Sequence, residues 1–234
     1  MILDSFQLHS MVFQIVYPAA YCLWDRSGEI ASRVCKIWPD LEIDDAKPDN
    51  QLFKSKSVVI QTGLKKSTIT LTGPNPLEAS NIKSMKETYD VWKNGMELSD
   101  LERVSTLTVY KKEFSTIKEA NSKLFKLNVV NWPSGKVFDQ PHDADRNSFE
   151  LLYRFEDQES FSTLRLKTEQ TKYVVSLDPK YVEESEISVT KNHLIIIFDR
   201  GLLGKSYADK LRVDDWINGY KHVLRRDLEK VIGA

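Results

Sequence analysis

The densest group of side chains able to do chemistry lies between Asp139 and Arg146, where Asp139, His142, Asp143 and Asp145 crowd a short span. Oxygen and imidazole donors of these types hold divalent cations, and a held cation can activate water for hydrolysis. His142, Asp143 and Asp145 are therefore the candidate metal ligands, and a metal-dependent hydrolase acting on phosphoesters or nucleotides is the enzymatic alternative. No second cluster rich in His or Cys supplies further ligands at a recognisable spacing. Residues of this kind are also what solvated turns are made of, and that reading is preferred.

A second group, Asp199-Arg200-Gly201-Leu202-Leu203-Gly204-Lys205-Ser206, follows an apolar run and ends in Gly-Lys-Ser. A phosphate-binding loop wraps its anion in backbone N–H groups and needs glycine at the first position of this span. Asp199 stands there and brings a carboxylate to where the anion would lie. Such a loop also belongs after an early strand of a parallel sheet, whereas only a short, mostly helical stretch follows Ser206. The expectation is a flexible strand-to-helix turn. A third group lies on the polar side of the last helix, where His222, Arg225 and Arg226 form the candidate interaction face. Lys205, Lys210, Arg212, Lys221 and Lys230 add basic charge there, but Asp209, Asp214, Asp215, Asp227 and Glu229 oppose it, and Trp216 and Tyr220 fall on the buried stripe rather than free for base stacking. A salt-bridged, solvated helix face is preferred over a nucleic-acid footprint. No Ser, Cys or Thr sits in a nucleophile-elbow context.

The elements that must position these groups belong to an ordinary globular chain. With 234 residues, 41% hydrophobic and 29% charged, it can bury a core without disulfides or metals. A formal net charge of −1 gives no global field favouring nucleic acid or an anionic membrane. Cys22 and Cys35 fall in one predicted helix, about 20 Å apart along its axis, so they cannot pair and read as reduced thiols. No apolar run approaches a membrane span, and Met1 to Ser10 lacks the features of a signal peptide. The expectation is a cytoplasmic protein with no cofactor and no membrane association.

In chain order, Met11 to Tyr17 reads as a strand, Ala19 to Trp38 as a helix interrupted or kinked near Ser27-Gly28, and Leu41 to Lys56 as a loop or irregular edge strand. Ser57 to Thr62 and Ser67 to Thr72 form a hairpin, Glu78 to Met96 a helix bearing Tyr89 and Trp92, and Arg103 to Phe114 a strand. That order, β-α-β-β-α-β, predicts a ferredoxin-like first half. A short helix at Thr116 to Phe125 and a strand at Leu127 to Asn131 precede a Pro- and Asp-rich loop from Trp132 to Asn147. Strands follow at Ser148 to Phe155, Phe161 to Thr168 and Lys172 to Leu177. A long strand around Leu194 to Phe198 and an amphipathic helix from Val213 to Ile232 close the chain. The fold class is α+β, with mainly antiparallel sheets in two β-rich halves, 1–126 and 127–234. Offsetting the sequence by 106 places Val58, Ile60, Thr62, Lys66, Ile69 and Leu71 on Leu164, Leu166, Thr168, Lys172, Val175 and Leu177, an echo that raises an internal duplication.

On the strand Phe13 to Tyr17, the helix ending Ile37-Trp38-Pro39-Asp40, the helix with Tyr89 and Trp92, the Arg-led strand Arg103-Val104-Ser105-Thr106-Leu107 and the closing strand and helix, the chain resembles a sporadically distributed, uncharacterised family of bacterial accessory proteins of about this length. It departs from that family after Tyr110, where Lys111-Lys112 replace an expected Asn. The resemblance implies no catalytic residues and a binding or regulatory role, tied to mobile elements or antiviral defence. Together with the lack of a catalytic constellation, it favours a non-enzymatic module that contacts a protein partner; nucleic acid ranks below protein.

Overall fold

The computed structural model describes residues 3–125, 150–176 and 186–232. A strand β1 (Gln7–Val16) leads through helix α1 (Cys22–Ile37) to four strands, β2 (Glu42–Lys47), β3 (Asn50–Lys54), β4 (Val58–Gly63) and β5 (Lys66–Thr72), and then to helix α2 (Ala79–Gly95). The chain continues as β6 (Asp100–Phe114), α3 (Ile117–Phe125), β7 (Glu150–Glu156), β8 (Ser160–Ser176), β9 (Glu186–Tyr207) and α4 (Val213–Ile232). The described strands form one antiparallel sheet in the order β2-β3-β4-β5-β1-β6-β9-β8-β7. The sheet runs without a break across the 126/127 boundary, because β6 pairs with β9 from Asp100 opposite Tyr207 to Phe114 opposite Asn192.

Period-two alternation decides which face is covered. Met11, Phe13 and Ile15 of β1 point to one side and are fully buried. Register carries that side across the sheet: Met11 lies opposite Leu71 and Thr108, Thr108 opposite Phe198, and Phe198 opposite Leu164. The four α-helices among the described residues pack here. Leu23, Ile30 and Val34 of α1, Met85, Tyr89 and Trp92 of α2, and Val213 and Ile217 of α4 surround β1. Leu124 of α3 joins Tyr220, Leu224 and Leu228 of α4 over Tyr110, Leu164, Leu166 and Ile196. The large side chains with polar ends are satisfied within this layer, as burial of such groups requires. Trp92 Nε1 donates to Thr62 Oγ1 at 2.8 Å, Trp216 Nε1 to Thr106 Oγ1 at 2.8 Å, and the Tyr89 hydroxyl to the Ala208 carbonyl at 2.6 Å.

Four expectations change. Leu41 to Lys56 is a β-hairpin turning at Pro48-Asp49: the loop alternative fails, and the irregular edge strand holds for its outer strand β2, which carries a bulge between Ile43 and Asp45. Its outer strand β2 is almost wholly exposed and therefore has no apolar alternation to read, while in β3 the core-facing positions are Gln51 and Phe53 rather than Leu52. The Gln51 Nε2 donates to the Ser27 carbonyl at 2.8 Å, while its Oε1 has no partner among the described residues. Helix α1 also runs unbroken through Ser27-Gly28. An interior glycine costs about 1 kcal/mol, less than the roughly 1.5–3 kcal/mol gained from each of the buried Leu23, Ile30 and Val34.

The two strands expected between Phe161 and Leu177 are one, β8, which extends to Ser176. Val58, Ile60 and Thr62 do share the helix-covered side with Leu164, Leu166 and Thr168. The remaining correspondences fail, because Ile69 and Leu71 belong to a separate strand after a turn, whereas Lys172 and Val175 continue β8. Finally, Gly201 to Ser206 is not a turn. It extends β9, with Gly201 opposite Ser105 on one side and Phe161 on the other. Gly204 takes φ +88° where Leu203 pairs with Arg103 and Ser206 with Leu101, so β9 carries a bulge that glycine accommodates.

Candidate binding cleft

The side of the sheet opposite the helices carries Val12, Leu107, Val109, Ile195 and Ile197, interleaved with Ser10, Gln14, Ser105 and Lys111, on the central strands β1, β6 and β9. Toward one end of this face, four strands build a cleft of about 510 Å³ lined by Gln7 and His9 of β1, Lys111 and Glu113 of β6, Tyr173 of β8, and Val189, Lys191 and His193 of β9. β6 and β9 contribute residues two apart, the spacing that keeps side chains on one face, and β8 contributes Tyr173 alone. The pairings Gln7 with Lys111, Glu113 with His193, Glu169 with His193 and Tyr173 with Val189 bring the contributions level. His9 enters by a different route. Leu8 pairs with Tyr110 and Ser10 with the adjacent Val109, which leaves His9 as the extra residue of a bulge.

Charges in and beside the cleft are partly paired. Lys191 Nζ lies 3.2 Å from Glu113 Oε2, and Lys167 Nζ lies 2.6 Å from Glu169 Oε2. Lys111 forms no ion pair among the described residues, and its charge acts on His9, His193 and Glu169. Burial and then Lys111 hold the His193 imidazole below its ordinary value, and the same two causes in the same order hold His9 down. Each ring also meets its charged neighbours as an uncharged base at neutral pH. His193 is only 8% exposed, and its Nδ1 has no hydrogen-bond partner among the described residues. A buried polar atom without a partner costs on the order of 1–3 kcal/mol, so its place on a cleft wall calls for a function.

A second charged cluster lies further along the same face. Gly201 leaves room for the Phe161 ring, and the Arg103 guanidinium stacks on that ring at 4.8 Å from its centroid. Burial raises the Asp199 carboxyl above its ordinary value, opposed by Arg103. Asp199 therefore belongs to a strand flanked by Leu107 and Thr163, and not to the rim of a phosphate loop.

Neither a protein-family model nor a curated protein matches the chain. The site is thus defined by its own geometry.

The residues singled out from the sequence are distributed as follows. His142, Asp143 and Asp145 lie outside the described residues. Among the described residues, no group of three His, Cys, Asp or Glu is placed to hold a metal ion, and no helix is long and apolar enough to cross a membrane. His222, Arg225 and Arg226 are exposed on α4. Arg226 forms a two-point ion pair with Asp227, at 2.8 and 2.6 Å. Arg225 lines a separate cleft of about 400 Å³ with Lys221, Tyr110 and Leu3, where Lys221 Nζ donates to the Leu77 carbonyl at 3.3 Å. His193 lies within β9 rather than ahead of it. The pairing of His193 with His9, Lys111 and Lys191 was hidden because the contributing segments are far apart in the chain. The one local signal was the two-residue spacing of Lys111 with Glu113 and of Lys191 with His193.

Proposed function

We propose that the protein is a binding module whose sheet face opposite the described helices receives a protein partner, with the His9–His193 cleft as its polar anchor. The observation that carries this reading is the placement of the described helices on the other side of the sheet, with Val12, Leu107, Val109 and Ile197 half-buried and Ile195 buried beside a cleft containing a buried imidazole whose Nδ1 has no partner among the described residues. Apolar area next to a few fixed polar groups is the composition of a protein-recognition surface. Charge complementarity points to a partner segment that is apolar and acidic, because Lys111 is not paired with an acid among the described residues. Nucleic acid fits less well: Arg103, Lys111, Arg165, Lys167 and Lys191 on this side are interleaved with Glu113, Glu150, Glu169 and Asp199, and a phosphate-tracking surface would carry its cations unopposed.

The same reading takes the chain as two β-rich halves, the first ferredoxin-like. Support comes from the run β4-β5-β1-β6 with α1 and α2 on one side, and from its counterpart β6-β9-β8 under α3 and α4.

The test is site-specific photocrosslinking in cells that express the protein. A photoreactive residue at Val109 or Ile197 is expected to capture one protein species. The same probe at Lys36, on the far side of α1, is expected to capture none of it. Equal capture from both positions, or capture only of nucleic acid, would overturn the proposal.

A further inference from the structure

We propose that the cleft formed by Gln7, His9, Lys111, Lys191 and His193 binds a carboxylate, the side chain of an aspartate or glutamate on the partner, with His193 and Lys111 as its principal contacts. This rests on the reading of the sheet face opposite the described helices as the docking surface and supplies the chemistry of its anchor. Three observations carry it. His193 is a buried side chain whose Nδ1 lacks a partner among the described residues while lining a cleft open to solvent. A neutral imidazole carries one N–H, and a carboxylate is an acceptor-only group that takes that bond where the ring edge reaches the cleft. The bulge at His9 turns a second imidazole toward the same space.

Charge selects the ligand. The lining holds Lys111 and Lys191 against Glu113, and Glu113 is already engaged by Lys191, which leaves one unmatched positive charge with both imidazoles neutral. One unmatched charge suits a monoanionic carboxylate. A divalent metal ion would meet Lys111 head-on, and a phosphate dianion would remain half-compensated. Bound carboxylate also favours the imidazolium, so affinity and proton uptake are linked. The groups facing His193 all enter this balance: His9 of β1, Lys111 and Glu113 of β6, Lys167, Glu169 and Tyr173 of β8, and Lys191 of β9.

The test uses the purified full chain and N-acetylglutamate amide as the probe, followed by the imidazole carbon-bound proton resonances in NMR. Added probe should shift the His193 and His9 signals, and affinity should rise as pH falls from about 7.5 to about 5.5, across the imidazole range. Lys111→Met should weaken binding about tenfold, while Lys111→Arg retains it. Lys83→Met, exposed on α2, should bind as wild type. His193→Phe should abolish the response, with the fold checked by amide spectra. Lys111 lies on the sheet surface, so the Met and Arg pair still decides the matter if His193→Phe fails to fold. The proposal falls if the probe leaves both imidazoles unmoved at tens of millimolar, if affinity is flat with pH, or if inorganic phosphate binds and the carboxylate does not. Crosslinking from Val109 does not depend on this probe, so loss of the anchor and loss of the docking face give different results.

Discussion

Replacing Gly201 by alanine tests the strand register and the packing over β9 at once. A methyl group at this position would lie 2.3 Å from Phe161 Cε1, 2.7 Å from Cζ and 2.9 Å from the Val104 carbonyl oxygen. Ordinary carbon contacts are about 3.5–4.0 Å, so the ring must retreat by more than about 1 Å. That movement also lifts the ring from the Arg103 guanidinium, whose Nε has no hydrogen-bond partner among the described residues. Overpacking of this kind costs about 1–3 kcal/mol and the lost cation–π contact about 0.5–1 kcal/mol, so Gly201→Ala should lose about 2–3 kcal/mol. Urea unfolding reads this directly, and in a chain of this size Tm should fall by about 4–12 °C. The decisive measurement is the cycle with Phe161→Ala. With the ring gone only the Val104 contact remains, and the cost of Gly201→Ala should drop by at least about 1 kcal/mol. An equal cost in both backgrounds would show that Phe161 does not cover Gly201, and the register of β8 on β9 would have to be redrawn.

Two further outcomes follow from buried polar groups. The Tyr220 hydroxyl bridges Thr108 Oγ1 at 2.7 Å and the Phe198 carbonyl at 2.7 Å, and burial raises its pKa far above the ordinary value. Tyr220→Phe should destabilise by about 1–3 kcal/mol in equilibrium unfolding, because Thr108 loses that partner; an unchanged urea midpoint would contradict the bridge. For His193, burial and Lys111 depress the folded-state pKa, so below the unfolded imidazole value of about 6.5 the unfolded chain takes up the proton first. Stability is therefore complete above that value and declines as pH falls below it toward the lowered folded-state value. Comparing urea midpoints at pH 7.5 and about 5.5 for wild type and His193→Phe should give a smaller loss in the variant, and the same loss in both would remove His193 as the cause.

Helices were the most legible elements because burial imposes their 3.6-residue period directly. Leu23, Ile30 and Val34, or Val213, Ile217, Tyr220 and Leu224, are buried at the spacing that the sequence displays. The strands that failed were those whose burial is not set by their own alternation. β2 is an exposed edge, β8 carries the polar Glu169-Gln170 through its middle, and β9 uses Gly201 to admit a neighbouring ring. Glycine in a strand and glycine in a turn look alike in sequence, and only the partner Phe161 distinguishes them. The cleft was invisible for a related reason. Its residues come from four strands, and their meeting depends on register across the sheet, which no local pattern encodes.

The central position of β6 has a consequence during synthesis. This strand is complete at Phe114, but its partner β9 begins only at Glu186. At about 5–20 residues per second, the ribosome leaves that edge unpaired for about 4–14 s after β6 and β1 have both emerged. A long exposed edge invites pairing with another nascent chain, and a run of charge is a standard protection. Lys111, Lys112 and Glu113 lie at the end of β6, opposite Ile195, Leu194 and His193 of the strand still to come. These three residues place charge on the unfinished edge before Lys111 becomes a wall of the finished cleft, and Lys111→Val should raise the pelleted fraction of newly translated chain while leaving the urea midpoint of folded protein nearly unchanged.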